Sequence, residues 1–277
     1  MQKYTLIGHP LGHSMSPFIH SELFRISNIQ AEYDCTDIPN ENFSSAAVSL
    51  RQLCGYNITI PYKRDIIPFI DILDESAKRY SAVNCVHNTN GKSIGYNTDC
   101  DGFLRSVKSM PLSGKVMIIG CGGVGRMIAI EATRHHADLT LAIIPEARAA
   151  ADTLCDEIHA LYSDSQIKIT DINNVSDSYD LIINASPVGM YPKTNACPVS
   201  REVIQKCGSV FDVVYNPVET MLLKTARELG KPASGGTAML VYQAVMAHEI
   251  WHDAHYSDDQ INAIIEKTNK IIAGDFK

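Results

Sequence analysis

The chain has 277 residues, 45% of them hydrophobic and 20% charged, and a formal net charge of −7. That length and composition give a globular protein of one large or two ordinary domains, and no apolar run approaches the roughly 18–20 residues of a membrane-spanning helix. The acidic balance excludes nucleic acid as the main partner, and the eight cysteines (35, 54, 85, 100, 121, 155, 197 and 207) contain no C-x-x-C pair, so neither a zinc ribbon nor a disulfide framework is indicated and a reduced, cytoplasmic setting is expected.

In chain order, Tyr4–Gly8 reads as a short strand that opens into a loop, GHPLGHSMSP. The loop lacks the apolar core and the cleavage-like site of a signal peptide. Helical spacing follows over Pro17–Ser27, then a strand at Ala31–Cys35, a helix at Asn42–Leu53 and a strand at Tyr56–Thr59 stopped by Pro61. Val83–His87 and Ser93–Tyr96 are further strands with the turn signal Asn88–Gly91 between them, and Asp99–Ser109 is a helix ending at Pro111. The second half alternates Lys115–Ile119 (strand), Val124–Arg134 (helix), Asp138–Ile144 (strand), Glu146–Leu161 (helix) and Gln166–Thr170 (strand). Tyr179–Ala185 and Ser209–Tyr215 are near-continuous apolar runs, and two long helices, Met239–His252 and Asp258–Ala273, close the chain. Apolar strands alternating with helices predict an α/β fold with a parallel sheet covered on both faces.

Several stretches carry chemistry. GCGGVG at 120–125 is an unbroken G-x-G-x-x-G between a strand and a helix, where glycines admit a pyrophosphate and the helix N-terminus offers free N–H groups. In such folds an acid near the end of the next strand suits the ribose of NAD, and an arginine suits the 2′-phosphate of NADP. That stretch is AIIPEAR, residues 142–148; Ile143 and Ile144 do neither job, and Glu146 and Arg148 point to opposite cofactors.

In the opening loop, Ser14 and Ser16 stand two apart; in extended backbone their hydroxyls share a face and suit a carboxylate or a polyol. Equally, Ser16 before Pro17 reads as a helix N-cap. GYNITIPYK (55–63) sets Asn57 and Thr59 on alternate strand positions and Lys63 beyond a proline; GYNTDCDG (95–102) places Asn97, Thr98, Asp99 and Asp101 at a helix start. A lysine and an aspartate from separate loops can pass a proton to or from an alcohol, although each singly is a surface charge or a cap. HEIWH at 248–252, with His255 nearby, matches H-E-x-x-H; it reads as a zinc site with Glu249 as base, or as a helix packing Ile250 and Trp251.

Taken together, these motifs resemble the shikimate dehydrogenase family nearly end to end. GHPLGHSMSPFIH is similar to the family's opening substrate loop, GYNITIPYK to its N-V-T-x-P-x-K, SAVNCV to A-V-N-T, GYNTDCDG to N-T-D-x-x-G and GCGGVG to its glycine loop. NASPVGM (184–190), FDVVYNP (211–217) and GGTAMLVYQA (235–244) are similar to N-A-T-P-x-G-M, D-x-x-Y-x-P and G-L-G-M-L-V-x-Q-A. The resemblance implies a substrate-binding domain of residues 1–103 plus 237–277 and a Rossmann-like domain of residues 104–236.

The implied activity is reversible NAD(P)H-dependent reduction of 3-dehydroshikimate to shikimate, a step of aromatic amino acid biosynthesis. Lys63 and Asp99 match the catalytic pair, and Ser14, Ser16, Thr59, Asn84, Tyr215 and Gln243 the substrate-binding positions. Gly120, Gly122, Gly123, Val124 and Gly125 match the pyrophosphate loop, Ile144 and Arg148 the adenosine end, and the backbone at Val213 and Gly236 the nicotinamide end. No metal is implied, and oligomeric state is not readable.

Three departures stand out. The family's N-R-T aligns with Ile143-Ile144-Pro145, G-L-G-M becomes G-T-A-M with Thr237 and Ala238, and Gly125 stands where many members carry a side chain. They leave open NADP or NAD as cofactor, a quinate/shikimate paralogue preferring NAD, and a shikimate-binding regulatory protein without turnover.

Overall fold

The structure is a computed structural model that describes residues 1–12 and 14–275; His13 of the opening loop lies outside the described residues. The chain divides into two units, Met1–Gly102 with Val241–Thr268, and Phe103–Leu240 with Asn269–Lys277.

The first unit begins with β1 (Gln2–Gly8), α1 (Ser16–Ser27), β2 (Ala31–Asp37), α2 (Phe43–Ser49) and β3 (Gly55–Ile58). It continues through β4 (Ile72–Leu73), α3 (Glu75–Tyr80), β5 (Cys85–Thr89), β6 (Lys92–Tyr96) and α4 (Thr98–Ser106). Its sheet runs β2-β1-β3-β5-β6-β4. The β1 strand lies parallel to both neighbours, but β5 is antiparallel to β3 and β6. This sheet is therefore mixed, and the parallel arrangement expected from the apolar strands belongs to the second unit. The turn Asn90–Gly91, with both residues at positive φ, folds β5 straight back on β6 as a hairpin. Ile7, Phe43, Tyr56, Ile58, Tyr62 and Ile66 pack one core of this sheet, and Tyr4, Phe24, Cys85, Ala247 and Trp251 another.

The helix expected over Asn42–Leu53 is α2 with a 3-10 turn at each end, Asn40–Asn42 and Leu50–Gln52. The β4 and α3 elements were not legible in the sequence. Two and six residues carry too little periodicity, and α3 depends on a cap in which Ser76 N donates to Asp74 Oδ1 at 2.9 Å.

The second unit is doubly wound. It comprises β7 (Lys115–Ile119), α5 (Gly123–Arg134), β8 (Asp138–Ile143), α6 (Arg148–Leu161), β9 (Ile167–Asp171) and β10 (Leu181–Asn184). Then come α7 (Arg201–Gln205), β11 (Ser209–Asp212), α8 (Met221–Glu228) and β12 (Ala233–Gly235). All six strands are parallel, in the order β12-β11-β10-β7-β8-β9. Strand order reverses between β7 and β10, so their carboxyl ends, Ile119 and Asn184, flank the position where open α/β sheets bind ligands. Near-continuous apolar runs fit strands buried on both faces: every residue of β10 and β11 is buried.

The final helices are α9 (Gly236–His252) and α10 (Asp258–Asp275). Among the described residues no helix is long and apolar enough to cross a membrane.

Candidate active site

In the first unit the chain brings Lys63 and Asp99 together. Beyond β3, Tyr62 is buried and stacked on Phe43 at 4.1 Å, while Val83 N donates to Lys63 O at 2.7 Å, which fixes the backbone at the lysine. Lys63 Nζ donates to Asp99 Oδ2 at 2.6 Å, with side chains only 25% and 18% exposed. Asp99 sits in the first turn of α4, where the free N–H groups favour a carboxylate.

A buried amide holds the other oxygen. Asn84 Nδ2 faces Asp99 Oδ1 at 2.9 Å, Thr98 Oγ1 at 3.0 Å and Gln243 Oε1 at 3.4 Å. Asn84 Oδ1 in turn accepts from Thr98 N at 2.7 Å. Asn84, Thr98 and Gln243 are all buried, so these polar atoms are satisfied chiefly by one another. Lys63, Asn84, Asp99 and Gln243, singled out in the sequence, thus form one hydrogen-bonded cluster with Thr98.

A second chain of bonds reaches the same asparagine. Tyr33 OH donates to Asn57 Oδ1 at 2.8 Å, and Asn57 Nδ2 donates to Asn84 O at 3.1 Å. Burial pushes the Tyr33 phenol well up, with a hydrogen bond involving Ser16 opposing it, so the phenol stays a neutral donor. Tyr33 was missed in the sequence, and nothing in the polar strand AEYDCTD marks it.

Ser16 is the first residue of α1 and buried, but it is not the N-cap. Met15 takes that position, already in αR conformation, and no side chain caps the helix. Ser16 N donates to Ser14 Oγ at 3.2 Å. The capping expectation for Ser16 and the extended-backbone argument for a shared face are both corrected by this early helical start. Thr59 lies one residue beyond β3 rather than in it, its N–H donating to Ile7 O at 2.9 Å.

In the second unit the glycine loop follows β7 directly. Gly120 has φ +93, and Gly120 N donates to Ala142 O at 3.1 Å. A Cβ on Gly125 would stand 2.3 Å from Gly120 O, whereas at Gly122 and Gly123 it would meet nothing within 4 Å. The loop is thus closed towards the sheet and open outwards. Gly122 caps α5 with no side chain, which leaves the first N–H groups of α5 for a ligand. Val124 follows in the first turn. These residues fit the pyrophosphate of a dinucleotide.

Asn184 and Asp212, paired in register on β10 and β11 and both wholly buried, tie the neighbouring loops together. Asp212 Oδ1 accepts from Asn184 Nδ2 at 2.9 Å and Val214 N at 3.0 Å, and Oδ2 accepts from Thr220 Oγ1 at 2.6 Å. Asn184 Oδ1 accepts from Ser186 N and Oγ at 3.1 and 2.7 Å. Burial pushes the Asp212 carboxyl up to about 6, against these hydrogen bonds, which pull it down. Neither residue was assigned a role from sequence, although a carboxylate in the apolar run FDVV is a signal.

Val213 N donates to Asn184 O at 2.9 Å, and Gly236 presses on the same turn: a Cβ there would lie 2.0 Å from Val213 O. That close approach leaves no room for a side chain at 236, and α9 starts there, three residues before the expected Met239. Tyr215 lies beyond β11, not within it, and its burial pushes the phenol up.

Beyond β8, Ile144 is 55% exposed, and Arg148 Nε donates to Asp152 Oδ1 and Oδ2 at 2.9 and 3.1 Å. In the HEIWH segment, His248 Nε2 meets His20 Nδ1 at 3.0 Å and His248 Nδ1 meets Tyr256 OH at 2.9 Å. Both ring nitrogens of His248 are thereby engaged by protein. Among the described residues no three His, Cys, Asp or Glu side chains group as metal ligands.

Comparison with known proteins bears on these sites. A model of the shikimate dehydrogenase substrate binding domain matches residues 6–86. A shikimate dehydrogenase (NADP(+)) of Methanococcus maripaludis is 37% identical over 254 residues, spanning 89% of this chain and 90% of its own. The crystal structure of shikimate 5-dehydrogenase from Thermus thermophilus in complex with NADP(H) and shikimate superposes with a TM-score of 0.85 at 26% identity, over 97% of this chain and 100% of that one. That of the Listeria monocytogenes shikimate 5-dehydrogenase, in complex with shikimate and NAD, gives 0.85 at 27% identity, over 95% and 96%. With 37% identity across nearly its whole length, the chain belongs to the shikimate dehydrogenase family.

Proposed function

We propose that the protein reversibly reduces the ring carbonyl of 3-dehydroshikimate to the alcohol of shikimate, with Lys63 as the proton donor and the second unit as the carrier of a nicotinamide dinucleotide. The observation that carries this reading is the 2.6 Å Lys63–Asp99 pair, held by the buried Asn84 amide. When bound, the dinucleotide supplies or accepts the hydride. The chain's own residues do the rest.

The Lys63 ammonium polarises the carbonyl and gives a proton to the forming alkoxide; in the reverse direction the amine takes it back. Asp99 orients Nζ, and Asn84 orients Asp99, so the donor arrives already positioned. Ser14 and Ser16 receive the substrate carboxylate, Thr59, Asn84 and Gln243 the ring hydroxyls and carboxylate, and Tyr215 helps place the carboxylate. The outward N–H groups of the loop Gly120, Gly122, Gly123, Val124 and Gly125 hold the pyrophosphate, with the Val213 and Gly236 backbone at the nicotinamide end. Units 1–102 with 241–268 and 103–240 with 269–277 are the substrate and dinucleotide domains of this reading. The eight cysteines are all free, in keeping with a cytoplasmic protein.

A matrix of initial rates tests it: shikimate and quinate, each with NAD and with NADP. Turnover of shikimate well above quinate is expected. Shikimate binding without turnover under any pairing would instead identify a binding protein.

A further inference from the structure

The turn after β8 carries charges that bear on which dinucleotide binds. Gly120 N donates to Ala142 O, so the glycine loop and the end of β8 lie side by side. In a doubly wound dinucleotide fold, residues at that strand end meet the adenosine ribose. Here the turn presents an exposed apolar side chain, Ile144, and an exposed carboxylate, Glu146. The first guanidinium beyond them, Arg148, is held through Nε by both oxygens of Asp152. On the neighbouring helix, Arg126 is engaged by Glu157, with Nε donating at 2.7 Å.

We infer that this site takes a ribose 2′-hydroxyl and disfavours a 2′-phosphate, so that the protein binds NAD(H) more tightly than NADP(H). The inference rests on the dinucleotide reading of the glycine loop. A 2′-phosphate brings close to two negative charges and needs a donor fork. Glu146, Arg148 and Asp152 together bring one net negative charge instead. The Arg148–Asp152 pair is an exposed i,i+4 contact, screened by water and weakly held, so Arg148 can swing towards a phosphate. Doing so strips Asp152 of its partner beside the same phosphate, and the local charge is unchanged. A 2′-hydroxyl has no such conflict, because it can donate to the Glu146 carboxylate.

Binding to the protein without substrate separates this from catalysis. NADH and NADPH are titrated by nicotinamide fluorescence, and ADP and adenosine 2′,5′-bisphosphate are titrated as competitors that probe the ribose end alone. NADH is expected to bind at least about tenfold tighter than NADPH, and ADP tighter than the bisphosphate, a gap of about 1.4 kcal/mol or more. Ile144→Arg, and separately Glu146→Gln with Asp152→Asn, should each raise NADPH affinity by about tenfold. Tighter binding of NADPH than NADH by the natural protein would overturn the inference and leave the dehydrogenase reading intact. Failure of both dinucleotides to bind would overturn both.

Discussion

Lys63 is the residue on which the chemistry turns. If its ammonium is the proton donor, Lys63→Ala should lower kcat by roughly 10²–10⁴ while moving KM much less. Steady-state rates on a variant with an unchanged melting temperature would show this, and near-normal turnover would remove Lys63 from the mechanism. Asp212 behaves differently, as a buried acceptor for three donors. Asp212→Ala would leave the Val214 N–H and the Thr220 hydroxyl hydrogen without an acceptor in a closed space, while Asn184 Nδ2 keeps its bond to Val188 O. At about 1–3 kcal/mol per stranded group, a loss of about 2 kcal/mol or more in urea unfolding is expected. A loss under 1 kcal/mol would mean that water or a neighbour replaces the carboxylate.

Among the elements, α5 and the pair α1 and α9 make distinct predictions. Within α5 two glycines serve different ends. Gly125→Ala drives its Cβ against the Gly120 carbonyl and should destabilise by about 1–3 kcal/mol. Gly123→Ala meets nothing within 4 Å, so stability should hold or rise while NADH binding weakens. Calorimetry with a fluorescence titration on each variant separates the two effects, and equal behaviour would refute the division into inner and outer faces of the loop.

Between α1 and α9, His20 and His248 are wholly buried against each other, and His20 also stacks on Tyr33 at 3.9 Å. Burial holds His20 down to about 3 and His248 well below the ordinary histidine range. Below pH 6.5 the unfolded chain therefore binds protons that the folded chain refuses, so stability falls as pH drops from 6.5 towards 3 and is flat, for these groups, above 6.5. The expected slope is on the order of 1 kcal/mol per pH unit per histidine in urea titrations. Asp212 opposes it over part of the range: raised to about 6, it favours the folded state below about pH 4 and loses that contribution as pH rises to 6. A His20→Phe variant that keeps the full acid slope would rule out this source.

At the scale of the whole molecule, the second unit is essentially one continuous stretch, while the first is assembled from both ends of the chain. Residues 103–240 contain all six parallel strands and their own core, including Met117, Ile182, Val210 and Leu222. Expressed alone, that stretch should unfold cooperatively on heating, as followed by circular dichroism. A gradual, non-cooperative loss of signal would show that its stability depends on the remainder. The first unit has no such test, since cutting at Gly102 separates Asn84 from Gln243.

The sequence by itself determined the α/β class, the order of the long strands and helices, and the chemistry-bearing motifs. These are local properties: apolar runs, glycine spacing and helix periodicity are written in consecutive residues. Lys63, Asp99 and the glycine loop were singled out in this way, whereas Asn84 and Gln243 came from the resemblance of their segments to the shikimate dehydrogenase family. The tertiary structure decided what those residues touch. That Asn84 bridges Asp99 and Gln243 across 159 positions of chain is a long-range contact that no local pattern encodes. The early start of α9 at Gly236 and the helical Met15 that displaces Ser16 as the cap were settled likewise by packing and turn geometry. Tyr33, Asn184 and Asp212 escaped assignment because their weight comes from being buried together. Burial is a property of the assembled fold, and only there does the cost of an unsatisfied polar group dictate its partner.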